Sequence, residues 1–278
     1  LSNTMLTDTG ITVKKSNIEK YFFQQVNNAP LIIFRIVFGV LLFMQTATAL
    51  IDKSFYHNYI EPPFTFSYIG FEWLQPLPGY GMYYYAAVLL LLSLCIVTGT
   101  FYRISMLLFS SMWTILYLMQ KAGYNNHYYL LLLLCWAMVF FPANGRYSID
   151  AARNKNISSV TCYRYVILFF IFQMAIVYTY AGFNKLSADW LSGKYIAIQF
   201  SRLATHQLTG FLYGNHIFQL FVCYGGILFD LLIVPLLLWK RTRKAAFIVS
   251  CFFHLFNSRC IDKIFRLAIS RNMQRNDI

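Results

Sequence analysis

The chain has 278 residues, of which 58% are hydrophobic, 19% aromatic and only 12% charged, with a formal net charge of +13. Soluble domains usually carry about 25% charged residues, so the composition excludes an ordinary water-soluble globule and places the chain in a bilayer. The basic residues are spread over short segments between apolar runs. They therefore orient a membrane protein, and no nucleic-acid partner is expected.

In chain order, residues 1–29 have no apolar core resembling a secretory signal and read as a cytoplasmic or interfacial segment, with Lys14 to Val26 a surface-lying amphipathic helix. The sequence starts at Leu1, which suits a fragment or an alternative start at Met5. Apolar runs follow at Leu31–Ile51, Met82–Thr98, Ile104–Gln120, Tyr128–Pro142, Tyr165–Gly182, Ile217–Trp239 and, shorter, Ala245–Asn257. Backbone in lipid must satisfy its own hydrogen bonds, so the expected fold is all-α: a polytopic helical bundle of about seven membrane segments, occupying residues 30–258. The connection Asp52 to Gly81 is rich in aromatics and prolines. It reads either as an aromatic belt at headgroup level or as a wall for a flat apolar ligand. The basic tail, 259–278, breaks the apolar pattern and suggests an interrupted or aberrant C-terminus.

Assigning alternate connections to opposite sides gives 12 basic residues on the side of the N-terminus and 5 on the other. The positive-inside rule then predicts a cytoplasmic N-terminus, and places both Lys185 and His127 on the outer side. The expected location is a bacterial cytoplasmic membrane or the endoplasmic reticulum membrane, with membrane lipid as a partner. The six cysteines show no CxxC spacing and read as small apolar residues, with no metal site expected. His57, His206 and His216 read as plain loop residues.

Three polar groups stand out. Lys185 lies three residues beyond the fifth run, where an ionisable group at a membrane segment is a functional candidate. A lysine acts as a base only as a free amine, which desolvation favours. Two simpler readings compete: a snorkelling interfacial lysine beside Trp190, and an ion pair with Asp189 four residues on, should the helix continue. The second group is Asn125-Asn126-His127 at the start of the fourth run, either a polar helix cap or a donor set for an oxyanion or quinone-type carbonyl. The third is His254 and Asn257, spaced to share one helix face at membrane depth, where helix-to-helix hydrogen bonding competes with a ligand role.

These residues sit in ordered motifs: RIVFG (Arg35–Gly39), FEWLQPLPGYGM (Phe71–Met82), FYR (Phe101–Arg103), YNNHYYL (Tyr124–Leu130), FFPANGRYSID (Phe140–Asp150), VYTYAGFNKLSADWL (Val177–Leu191), GGILFDLLIVPLLLWKRTR (Gly225–Arg243) and FFHLFNS (Phe252–Ser258). Together they resemble the vitamin K-dependent γ-carboxylase family and its bacterial relatives with the horizontally transferred transmembrane (HTTM) domain. The resemblance implies carboxylation of protein glutamate to γ-carboxyglutamate, driven by oxidation of vitamin K hydroquinone to the epoxide, with O2 and CO2 as co-substrates and a glutamate-containing protein as partner. It makes Lys185 the initiating base, Asn126 and His127 the groups that bind and polarise the hydroquinone oxygens, and His254 with Asn257 supporting residues for the quinol. The chain departs from the vertebrate enzymes at Asn184, where they carry a second lysine, and in the stretch after Ser258; their large β-rich lumenal region has no counterpart here. Those departures keep two alternatives open: a quinone- or lipid-binding module without carboxylation, and an inactive truncated member.

Overall fold

The computed structural model describes residues 4–6, 12–14, 16–201, 210–255 and 257, which fall into two compact units, 1–168 and 169–278. The basic tail, 259–278, and His206 lie outside the described residues.

The first unit opens with strands β1 (Thr4–Leu6) and β2 (Thr12–Lys14), paired antiparallel. Helix α1 (Asn17–Phe22) starts with a capping box: Ser16 Oγ accepts from the Glu19 N–H at 3.1 Å and Glu19 Oε2 accepts from the Ser16 N–H at 3.0 Å. The expected surface helix over 14–26 is thus cut to six residues. Its ends are claimed by sheet pairing instead, β2 before it and β3 (Gln25–Asn27) after it, the latter antiparallel to β4 (Thr161–Tyr163) with Val26 opposite Cys162.

The apolar runs become α2 (Ala29–Ile51), α4 (Gly81–Thr98), α5 (Tyr102–Met119), α6 (Asn126–Phe140), α8 (Arg164–Asn184) and α12 (His216–Leu238), each within two residues of its expected bounds. Short helices α3 (Ser54–Tyr59) and α7 (Ile149–Arg153) lie in the connections. Five helices among the described residues are long and apolar enough to cross a membrane, which makes this a multi-pass membrane protein. Helix α6 has 15 residues, about 22 Å at the helical rise of ~1.5 Å per residue, against a hydrocarbon core of ~30 Å. Residues 243–255, which take in most of the seventh run, Ala245–Asn257, are also helical.

Helix α2 shows why such a helix suits lipid. One stripe, Leu31, Phe38 and Leu42, is buried, while Ile33, Val37, Leu41 and Met44 at helical spacing are exposed, Ile33 by 62%. A helix apolar all round has no face to offer water. Gly39 lets α2 approach α4 closely, since a Cβ there would fall 2.8 Å from Val97 Cγ2.

The motifs of this unit build a polar knot at one end of these helices. Arg35, fully buried, donates from Nη1 to the Ile96 and Val97 carbonyls, both at 3.0 Å, and from Nη2 to the Tyr147 carbonyl at 2.6 Å. Carbonyls in the last turn of a helix lack i+4 partners; here the guanidinium donates to Val97 and joins the Gly99 N–H, at 3.3 Å, on Ile96. Gly99, at φ +66°, closes that turn, and a Cβ there would meet Arg35 Nη1 at 2.4 Å. Asp150 caps α5 in turn, accepting from the Phe101 and Tyr102 N–H groups at 2.8 and 2.9 Å and from Asn144 Nδ2 at 2.9 Å. The Tyr102 hydroxyl donates to the Met138 carbonyl of α6 at 2.7 Å.

The aromatic connection is ordered by its own hydrogen bonds. Buried Thr65 bonds Gln75 Oε1 through its N–H at 3.0 Å, and the Ser67 hydroxyl donates to the Leu74 carbonyl at 2.8 Å, while Phe66, Ile69 and Trp73 are exposed. At its tip the Gly70 N–H donates to Glu72 Oε1 at 2.9 Å, which holds this carboxyl below its ordinary range.

The second unit takes α8 from Phe169 onward, then α9 (Ala188–Leu191), α10 (Lys194–Phe200), α11 (Gly210–Tyr213) and α12. Asn215 caps α12, accepting from the Ile217 and Phe218 N–H groups at 2.8 and 3.2 Å. The short helices are tied to α12 by the Tyr224 hydroxyl, which donates to the Leu191 carbonyl at 3.2 Å, and by a core of Ile196, Phe200 and Cys223.

Candidate functional site

Helix α8 ends at Asn184, and Lys185 and Leu186 form the turn that follows before α9 starts at Ala188. That break decides the partner of Lys185. The expected pairing with Asp189 requires a continuous helix; with the helix ended, Asp189 instead reaches Lys194 Nζ at 3.5 Å, in an exposed pair. Lys185 Nζ forms a salt bridge and hydrogen bond with Asp230 Oδ2 of α12. The Asp230 side chain is 5% exposed and that of Lys185 20%.

Two glycines and a tryptophan shape this pair. Gly182 lies against α12 so closely that a Cβ would fall 2.5 Å from Leu231 Cδ2. Gly226, one turn before Asp230, lies beside the amine, its virtual Cβ falling 4.0 Å from Lys185 Nζ, at van der Waals contact. The ammonium also lies 5.3 Å from the centre of the Trp190 ring, within cation–π range, and that ring is fixed by stacking on Tyr195 at 4.5 Å. Lys185 is thus held on one side by a buried carboxylate and on another by an aromatic ring. Replacing Gly182 with valine is expected to force α8 and α12 apart and to cost about 1–3 kcal/mol of stability by overpacking. The check is a lower melting temperature for Gly182→Val in detergent, with a smaller drop for Gly182→Ala.

His254, from the helical stretch 243–255, places Nε2 2.8 Å from the Tyr178 hydroxyl of α8. Asn257 is helical and half-buried. The Phe253 ring stacks on Phe229 of α12 at 3.8 Å, and Phe229 meets Tyr178 edge-on at 6.0 Å. The histidine therefore has the helix-to-helix hydrogen bond considered from its spacing, and an aromatic cluster fixes its position.

Asn126 and His127 belong to the first unit, and Lys185, His254 and Asn257 to the second. Asn125 is the cap of α6, its Oδ1 accepting from the His127 N–H at 2.8 Å. Asn126 Oδ1 accepts from the Tyr124 hydroxyl at 2.7 Å, and both Asn126 and His127 are exposed. Beside them, the start of α6 contributes Tyr128 to a cavity of about 100 Å³ that is also lined by Gln45, Thr46, Tyr59, Trp113 and Gln120. The Tyr128 hydroxyl accepts from Gln45 Nε2 at 3.2 Å. Of the remaining histidines, His57 lies in α3 with Nδ1 2.5 Å from Glu61 Oε2, and His216 starts α12 with Nε2 3.3 Å from the Ser192 carbonyl oxygen.

Asp230 is the site residue that sequence reasoning missed. Its signal was present: a lone acidic residue inside the apolar run Ile217–Trp239, and an ionisable group at membrane depth calls for a partner. Attention to the i,i+4 neighbour of Lys185 hid the partner 45 residues away.

A model of the HTTM domain matches residues 23–268, and no solved structure matches the chain. The match takes in every motif from Arg35 to Ser258, those of the polar knot and those around Lys185 alike. The chain belongs to the HTTM domain family and is a membrane protein related to the vitamin K-dependent carboxylases.

Proposed function

We propose that this protein is a quinol-driven membrane carboxylase: it oxidises vitamin K hydroquinone, or a related quinol, to the epoxide and couples this to the addition of CO2 to protein glutamate on the non-cytoplasmic side. The quinol is consumed, so it is treated as a substrate. The observation that carries the reading is the Lys185–Asp230 pair at the end of a membrane-length helix, largely withdrawn from water and next to an aromatic ring. A lysine that served only as a surface anchor would have no need of a buried carboxylate from another helix.

In this reading Lys185 removes a proton from a hydroquinone oxygen. Asn126 and His127 bring amide and imidazole donors to the hydroquinone oxygens, chemistry suited to a flat substrate with an oxygen at each end. His254, hydrogen-bonded to Tyr178, and Asn257 are supporting residues for the quinol. Exclusion of water matters because the strong oxygen base that follows would otherwise be quenched. The surrounding apolar helices let a lipid-soluble quinol arrive from the bilayer.

The test is the purified protein in lipid nanodiscs with vitamin K hydroquinone, O2, labelled bicarbonate and a glutamate-containing peptide. Epoxide together with acid-stable label in the peptide is the expected result. Quinol retention with neither product would replace this reading with a binding module, and no retention would remove both.

A further inference from the structure

The salt bridge raises a difficulty for Lys185 as a base, because an ammonium already paired with a carboxylate has no lone pair to offer. The partner also supplies the answer. Asp230 is the single acidic residue of the five membrane-length helices among the described residues, is nearly fully buried, and accepts directly from Lys185 Nζ. At Gly226, one turn before Asp230, α12 presents no side chain to that nitrogen; a Cβ there would touch it at 4.0 Å.

We propose that Asp230 is the proton store of Lys185. In this step, which rests on the quinol reading above, the ammonium passes a proton along the existing hydrogen bond to the Asp230 carboxylate. The freed amine then takes the proton of the substrate O–H. The products are a neutral Asp230 carboxylic acid, the Lys185 ammonium and a substrate anion that replaces the carboxylate as its counter-ion. One N–H bond of Lys185 and the substrate O–H bond break, one O–H bond on Asp230 and one N–H bond on Lys185 form, no electrons are transferred, and the net charge of the site is zero before and after. The gain is electrostatic: one ion pair is exchanged for another, so no new charge separation has to be created in a medium where isolated charges are costly.

Asp230 thus acts through Lys185 and is a positioning residue. Among the described residues, the titratable groups that act on it are Lys185, from the turn after α8, and Tyr178, from α8 itself, whose hydroxyl is bonded to His254. A counter-ion with only a structural role would stay ionised when substrate binds; a proton store must become an acid. Infrared difference spectroscopy separates these on the unaltered protein.

The experiment adds vitamin K hydroquinone without O2 to the protein in nanodiscs. The expected result is a new carboxylic-acid C=O band that shifts when aspartate is labelled with carbon-13 and is missing in Asp230→Asn. With O2 restored, Asp230→Asn is expected to lose about 100-fold in epoxide formation, on the scale of general acid–base contributions. Its remaining rate should climb with pH, because Lys185 must now give its proton to solvent, while Asp230→Glu recovers activity with the unaltered protein's pH profile. Bound quinol with no new acid band, or an Asn variant with the unaltered rate and profile, overturns the proton store and leaves the quinol reading standing. Absence of quinol binding overturns both.

Discussion

Lys185→Ala is expected to lower quinol epoxidation by about 10² to 10⁴-fold, the range over which a positioned acid–base group contributes. The substitution has a second consequence that has to be separated from the first. Removing one member of a buried pair strands the other, which costs about 3–5 kcal/mol in a fully buried setting. Here the cost should fall toward the lower end, because the Lys185 side chain keeps 20% exposure and the Asp230 carboxyl can take up a proton. Loss of activity in Lys185→Ala could therefore reflect loss of fold. The double variant Lys185→Met with Asp230→Leu resolves this, since replacing a buried pair with apolar side chains of similar size is often neutral or stabilising. It should melt near the unaltered protein, still bind quinol from lipid, and form no epoxide. Turnover by the double variant at the unaltered rate would remove the pair from the mechanism.

Much of the fold was legible because membrane helices announce themselves by run length. The six long runs differ from the observed helices by at most two residues at either end, since lipid imposes a helix on any apolar run and leaves little for local preferences to decide. Outside lipid the same reasoning failed. Lys14 to Val26 carries an amphipathic pattern, yet the backbone of Gln25–Asn27 pairs with Thr161–Tyr163, a contact between segments more than a hundred residues apart that no local periodicity encodes. The site was half legible for a related reason. The lysine, the histidines and the asparagines are visible as polar residues at run ends, but the partner of Lys185 depends on whether α8 continues past Asn184. Lys185 sits in a turn, so its neighbours are set by the packing of Gly182 against Leu231 and not by the spacing of four to Asp189.

The motifs also have to be divided between chemistry and construction, and Arg35 is the clearest case of construction. Its guanidinium donates to three carbonyls, Ile96, Val97 and Tyr147, and so joins α2, the end of α4 and the segment before α7. Hydrogen bonds involving a charged group contribute about 1.5–3 kcal/mol each, and carbonyls left buried without a donor carry their own desolvation penalty. Arg35→Met keeps the volume and removes all three donations, so the expected loss is on the order of 4 kcal/mol or more, a large share of the 5–15 kcal/mol typical of a domain. Little folded protein should be recovered by size-exclusion chromatography in detergent. Arg35→Lys should recover only part, because a single ammonium nitrogen cannot span the fork that reaches two helix-end carbonyls and a third strand of chain. Gly99→Ala should resemble Arg35→Met, since its Cβ would clash with Arg35 Nη1 and Ser148 Cβ, each at 2.4 Å, at a residue whose φ of +66° already disfavours a side chain. Normal yield and melting behaviour in Arg35→Met would move this arginine from the scaffold to the chemistry, where a buried cation with one nitrogen, Nε, lacking a partner among the described residues would need a ligand of its own.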